Sequence, residues 1–191
     1  VSGIGVTVSS ATVNSATSIS VILVATSTAA TGTRDITVTN TDGGTTTLAA
    51  GLTVTLKPTP SSTTPTSLAV GAASKALVVT GTDFDATATV SFSTADITIV
   101  SSTVTNSSRI DLVVSVSAAA TVGTRTVTVT NGDGGVGSIA GVFSIVAAST
   151  LTINGVTPAT RGQGATSQSI VITGSGFVTG ATTTFSGTGV T

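Results

Sequence analysis

Apolar and polar residues alternate along most of this chain. In residues 32–44, GTRDITVTNTDGG, Ile36 and Val38 fall on one side and threonines fall on the other. This two-residue period predicts a half-buried β-strand. The Asn, Asp and Gly residues that follow predict a tight hairpin, because glycine accepts the positive φ of such turns. No segment keeps a helical period, so the pattern predicts an all-β protein.

The same stretch returns at residues 123–135 as GTRTVTVTNGDGG. Residues 1–54 align with 92–145 without a gap at a spacing of 91, and the aligned pairs include Arg34 with Arg125 and Asp42 with Asp133. A second series of pairs is spaced by 93, namely Pro65 with Pro158, Gly81 with Gly174, Phe84 with Phe177 and Phe92 with Phe185. The chain therefore contains an internal repeat with a period of about 92 residues.

The two spacings divide the chain into three parts. Residues 1–55 are the back half of a repeat, 56–147 are a complete repeat, and 148–191 are the front half of a third. Strands are predicted near residues 6–13, 19–24, 34–40 and 45–54. Residues 55–64, with Lys57-Pro58-Thr59-Pro60, are interpreted as a short linker stiffened by proline. About seven short strands in each repeat predict a two-sheet antiparallel β-sandwich.

The repeat resembles the bacterial TIG-type (immunoglobulin-like, plexin, transcription-factor) domains. The resemblance lies in the front pattern of Pro158, a glycine-alanine step and VITGSGF, and in the back pattern of GTR, VTVTN, DGG and GVFSI. It implies tandem immunoglobulin-like antiparallel β-sandwiches in a long surface or secreted protein. Relatives often carry Tyr where Arg34 and Arg125 stand. We expect these arginines to pack their stems on the core edge and to donate to loop carbonyls, in a structural role.

Composition excludes several partners. The net charge is −1, with seven Asp and six Lys or Arg, so no basic surface is available for nucleic acid. The aliphatic runs are far shorter than the roughly 18 residues that a membrane span needs. The chain lacks Cys, Met, Trp, Tyr, His and Glu, and so offers little to oxidants. We interpret it as an exported, durable material that is extracellular or on the cell surface.

Catalysis is not expected. An activated serine needs an oriented base, the chain has no His, and Lys57 and Lys75 lie in segments where a solvated side chain is the simpler interpretation. The prediction is therefore of a protein that is not an enzyme and that uses no cofactor.

One acidic pair, Asp83 and Asp85, could contribute to a calcium site. The equivalent residues of the third repeat are Gly176 and Val178, so the pair does not belong to the repeat and a polar loop around Phe84 is the preferred interpretation. Asp42 and Asp133 precede Gly-Gly in hairpins, where turn chemistry explains them.

The aromatic residues are expected in the core. Phe84 corresponds to Phe177 and Phe92 to Phe185, which is how core positions behave among repeats, and no stacking platform for a carbohydrate is identified. Whether a carbohydrate or host ligand binds stays open.

A half sandwich would leave strand edges unpaired and an apolar face uncovered. Residues 151–191 and 1–54 supply complementary halves of the same repeat, so the expected partner is the protein itself, head-to-tail. Two arrangements stay open: a continuous array of repeats in a longer polypeptide, or docking of one subunit onto the next. The predicted function is that of a structural segment of an extracellular filament or stalk. The alternative is an adhesin or other ligand-binding module.

Overall fold

The computed structural model describes residues 4–186, which form strands, turns and loops without a helix. The prediction of an all-β protein is confirmed. The strands are β1 (Val6–Ser15), β2 (Ser18–Ala25), β3 (Gly32–Thr39), β4 (Thr45–Val54), β5 (Thr59–Thr64), β6 (Ser67–Ala69), β7 (Lys75–Thr82), β8 (Thr89–Phe92), β9 (Ile97–Asn106), β10 (Arg109–Val116), β11 (Gly123–Thr130), β12 (Val136–Val146), β13 (Thr152–Thr157) and β14 (Val171–Ser175). The chain divides into two compact units between Val146 and Ala147.

The strands β5 to β12 form two four-stranded sheets around one core. One sheet has the order β5-β7-β10-β9 and the other β6-β12-β11-β8, and every pairing is antiparallel except that of β6 with β12. Alternate residues of both sheets point inward, as the two-residue period requires. The fully enclosed side chains include Leu77, Val79, Ile110, Val114, Val127, Val129, Phe143 and Ile145. This is the arrangement of a β-sandwich.

The linker predicted at residues 55–64 is wrong for its second part. Residues 59–64 form β5, and both Pro58 and Pro60 are buried. Proline is accepted here because β5 lies at the edge of its sheet, where a missing N–H need not break a ladder.

Strands β1 to β4 repeat β9 to β12 with a uniform shift of 91 residues. The pairs β1–β2 and β3–β4 are two-stranded sheets that correspond to β9–β10 and β11–β12. Both hairpins of the GTR stretch close in the same way: Asn40 N–H donates to Gly44 O at 2.8 Å, and Asn131 N–H donates to Gly135 O at 2.9 Å. The outer faces repeat as well, with hydroxyl pairs that join Thr37 to Thr47 and Thr128 to Ser138.

In the second unit, β13 and β14 repeat the pairing of β5 with β7 at a shift of 93 residues. Pro60 is opposite Gly81, and Ile153 is opposite Gly174, with a register shift immediately afterwards in both ladders. The described part of this half repeat contains two strands. The counterpart of β8 is not a strand, because β8 pairs with β11 and this unit has no such partner among its described residues.

Candidate functional site

Arg125 is the most enclosed charged residue of the sandwich. Its Nη2 lies 2.6 Å from Asp96 Oδ2, and its Nη1 donates to the carbonyls of Gly123 and Thr124 at 3.1 Å each. The hydrogen bonds from Arg125 hold the pKa of Asp96 below its ordinary value, with a further contribution from the Thr94 hydroxyl. The guanidinium therefore joins the start of β11 to the loop before β9.

The equivalent Arg34 keeps two of the carbonyl contacts, since it donates to Thr33 O and Ala30 O as Arg125 donates to Thr124 O and Thr121 O. Its Nε, however, is buried without a hydrogen-bond partner. Gly5 stands 91 positions before Asp96, so the first half repeat has no carboxylate at this place. Sequence reasoning missed the Asp96 contact. The only signal was that Asp96 differs from its counterpart within an otherwise regular repeat.

Asp85 connects a loop to the hairpin between β11 and β12. Its carboxylate accepts from Thr87 N–H at 2.7 Å and from Gly132 N–H at 2.6 Å, while Asn131 Nδ2 donates to Asp83 O at 2.8 Å. Partial burial raises the pKa of Asp85, but the hydrogen bonds from Thr87 and from the hairpin backbone outweigh it and leave the pKa lowered. The sequence did not single out Asn131, although its repetition as Asn40 was visible.

The calcium alternative at Asp83 and Asp85 stays a prediction. The side chain of Asp83 accepts from Thr82 Oγ1 at 2.7 Å, and a cation at Asp85 would have to displace the donors of Thr87 and Gly132. Among residues 4–186, no group of three or more His, Cys, Asp or Glu is placed to hold a metal ion.

Asp42 and Asp133 occupy the turns predicted for them. Asp42 Oδ1 accepts from Gly44 N–H, and Asp133 Oδ1 accepts from Gly135 N–H, both at 2.9 Å. Asp133 also accepts from Thr55 Oγ1, the residue after β4. The carboxylates thus fix the hairpins, and Asp133 in addition contacts the segment that leads into the complete repeat.

The aromatic residues divide between the two units. Phe84 is buried, and Phe92 packs against the core with its ring centroid 5.7 Å from that of Phe143. Phe177 and Phe185, expected in the core, are instead 46% and 53% exposed. The sheet that would cover them is not present in the second unit, since its described residues pair only β13 with β14.

The largest unexplained feature is an apolar surface on the first half repeat. Its residues are exposed, although the equivalent residues of the complete repeat belong to the core. Ile19, for example, is 41% exposed, whereas the equivalent Ile110 is 0% exposed. We call this surface the open face; it comprises Ile19, Val21, Leu23, Val38 and Leu48. Three of these side chains alternate along β2 and two lie on the β3–β4 hairpin, and exposed apolar residues in such numbers are typical of an interaction surface.

No family model and no curated protein matches the chain. Among solved structures, it is similar to the Bacteroides ovatus mixed-linkage glucan utilization locus SGBP-B in complex with a mixed-linkage heptasaccharide, at 15% identity and a TM-score of 0.29. The match covers 79% of this chain and 39% of that one, so the chain spans less than half the length of that protein. A likeness at this TM-score supports no inference about fold or ligand. None of the described residues belongs to a helix long and apolar enough to cross a membrane.

Proposed function

We propose that this chain is a segment of an extracellular or cell-surface fibre or stalk built from tandem immunoglobulin-like sandwiches. The observation that carries the proposal is the open face: a complete sandwich is preceded by half of the same sandwich, with its core residues exposed. The role is mechanical, and no catalytic step or cofactor belongs to it.

The strand order supports the immunoglobulin-like part of the proposal. Constant-type immunoglobulin domains have strands A, B, E and D in one sheet and C, F and G in the other. When β5 to β12 are lettered in that scheme, the order β5-β7-β10-β9 corresponds to A, B, E and D, while β12, β11 and β8 correspond to G, F and C. The TIG-type resemblance of the sequence agrees with this order.

The half repeats support the tandem part. An isolated two-stranded hairpin is marginal in water, and an unpaired edge is a template for another strand. Full burial of an exposed Ile, Val or Leu contributes about 1.5–3 kcal/mol, and the side chains of the open face, which are 36–63% exposed, would contribute part of that at a junction. A second half repeat, whichever chain supplies it, completes the sandwich and continues the line of domains.

Substitution within β2 tests the proposal, because adjacent residues of one strand face opposite sides. Val21→Lys places a charge on the open face, and Ile22→Lys places the same charge on the other face of β2, where Ile22 is 63% exposed. In negative-stain electron microscopy of the assembled material, we expect ordered filaments from Ile22→Lys and none from Val21→Lys. Equal filament formation by the two variants would contradict the proposal.

A second candidate, a ligand-binding module such as an adhesin, is supported by the exposed Phe177 and Val178, which follow β14. An exposed aromatic ring can stack on a sugar. Selective signals on a glycan array that are lost in Phe177→Ala and kept in Val136→Ala, an exposed substitution elsewhere, would favour this candidate. Absence of any selective signal would exclude it for the glycans on the array.

A further inference from the structure

The complete repeat shows which strand lies beside the counterpart of β2. There β7 pairs with the edge of β10, so that Val79 is opposite Ile110 and Leu77 is opposite Leu112. The equivalent edge of β2 carries no strand, because β2 pairs with β1 alone in the described chain. Among residues 4–186, no strand of the β7 kind pairs with the first half repeat.

The same chain contains such a strand in β14. The ladder of β13 and β14 repeats that of β5 and β7 residue for residue. The approach of Gly81 to Phe84 is repeated too: a Cβ on Gly81 would lie 2.6 Å from Phe84 Cζ, and one on Gly174 would lie 2.7 Å from Phe177 Cζ. The local structure of the β7 position is thus already formed around β14.

The length of β14 indicates which edge is free. Residues 75–77 of β7 pair with β10 and not with β5, whose ladder begins at Val78. Their counterparts, residues 168–170, are not part of a strand, although 171–175 are. β14 is therefore shorter than β7 by the residues that only a β10-like strand holds in place.

We propose that β14 of one copy adds antiparallel to the free edge of β2 in a second copy. Transfer of the β7–β10 register places Thr173 opposite Ser18, Ile172 opposite Ile19, Val171 opposite Ser20 and Ile170 opposite Val21. Ile172 and Ile170 then lie beside Ile19 and Val21 on the β2 part of the open face, and residues 168–170 join the strand. Within the described chain β2 pairs only with β1 and β14 only with β13, so each offers an edge, and the occupant that we assign is a second copy.

This inference rests on the proposed fibre and specifies its joint. Each junction then resembles the complete repeat in fold but is formed by different surfaces of two copies, so the contact is heterologous and propagates head-to-tail. In a continuous array, by contrast, a neighbouring stretch of the same polypeptide would cover β2.

Disulfide trapping distinguishes the register, and the chain contains no cysteine that would interfere. Residues directly opposite each other have Cα atoms about 4.5–5.5 Å apart, within the range of a disulfide, whereas diagonal neighbours are about 7–8 Å apart. The single variants Ser18→Cys, Ser20→Cys, Val171→Cys and Thr173→Cys are purified reduced. Each β2 variant is then mixed with each β14 variant and oxidised.

The matched mixtures combine Ser20→Cys with Val171→Cys and Ser18→Cys with Thr173→Cys. On non-reducing gels, we expect their yield of a disulfide-linked dimer of the 18.2 kDa chain to be at least five times that of the mismatched mixtures. Equal yields in all four mixtures, or no dimer in any, would overturn the proposal. So would the doubly substituted Ser20→Cys, Val171→Cys chain if it closed its disulfide internally.

Failure of the strand-addition proposal can be distinguished from failure of the fibre proposal. If native filaments contain denatured chains many times larger than 18.2 kDa and no dimer is trapped, strand addition between copies is contradicted. The fibre proposal is not contradicted by that result. Absence of any filament in the native material would remove the fibre proposal itself.

Discussion

Arg125 and Asp96 form an ion pair at the edge of the sandwich core, with Nη2 and Oδ2 2.6 Å apart and with side chains that are 4% and 16% exposed. The pair joins residues 29 positions apart, and the carbonyls of Gly123 and Thr124 satisfy more of the guanidinium. Removing one member of such a pair leaves an unpaired charge that is shielded from water. The resulting loss of stability is larger than the stability that the intact pair contributes.

Asp96→Asn should therefore lower the free energy of unfolding by about 2–4 kcal/mol at pH 7. Asp111→Asn is the matched control, because Asp111 pairs with Arg109 at 2.7 Å but both side chains are at least 40% exposed. The control should cost much less than Asp96→Asn, because an exposed ion pair contributes little to stability. Urea denaturation followed by far-ultraviolet circular dichroism measures both. Similar losses in the two variants would show that enclosure of the Arg125 pair is unimportant.

The effect of Asp96→Asn should depend on pH. The folded pKa of Asp96 is lowered from its ordinary value of 3.8, so its stabilising contribution is complete above 3.8 and is lost as the pH falls through the folded pKa. The gap in urea midpoint between the parent chain and the variant should hold from pH 7 down to about pH 5 and shrink toward pH 2. A gap of constant size across this range would mean that the Asp96 charge does not cause it.

Gly81 should not accept a side chain. A Cβ there would lie 2.6 Å from Phe84 Cζ and would also meet the backbone of Thr59 and Pro60 in β5. Gly81→Ala should cost about 1–3 kcal/mol in the free energy of unfolding, because the backbone of an adjacent strand has to move. Gly162→Ala, at a position with no atom within 4 Å, should change it by less than about 0.5 kcal/mol. Thermal melts of the two variants compare them directly, and a stable Gly81→Ala chain would contradict the packing.

Asn131 and Asn40 have the same place in their hairpins but different surroundings. Asn131 is 5% exposed and exchanges hydrogen bonds with Asp83 O and Asp85 N–H, whereas Asn40 is exposed. Asn131→Ala should cost about 1–3 kcal/mol, because buried backbone groups lose their partner. Asn40→Ala should cost less than about 0.5 kcal/mol. If the two substitutions cost the same in urea denaturation, the Asn131 side chain holds no loop in place.

The sequence alone determined the strands and the repeat. Alternation of Ile36 and Val38 with threonines fixes a strand whatever surrounds it, since side chains alternate across the backbone, and the Asp-Gly-Gly turns specify their own hairpins. The correspondence of Arg34 with Arg125 could also be identified from the sequence, because the two residues have the same place in the repeated stretch. These are local properties, and similar local sequences gave hairpins of the same register.

Only the tertiary structure decided which equivalent residues are buried. Ile19 and Ile110 have the same local sequence role, yet one is exposed and the other enclosed, because burial depends on the strand that a distant part of the chain provides. The Asp96 partner of Arg125, the strand β5 in place of a linker and the exposed Phe177 have the same origin. Each depends on contacts between residues far apart in the sequence, and a pattern read along one strand does not contain them.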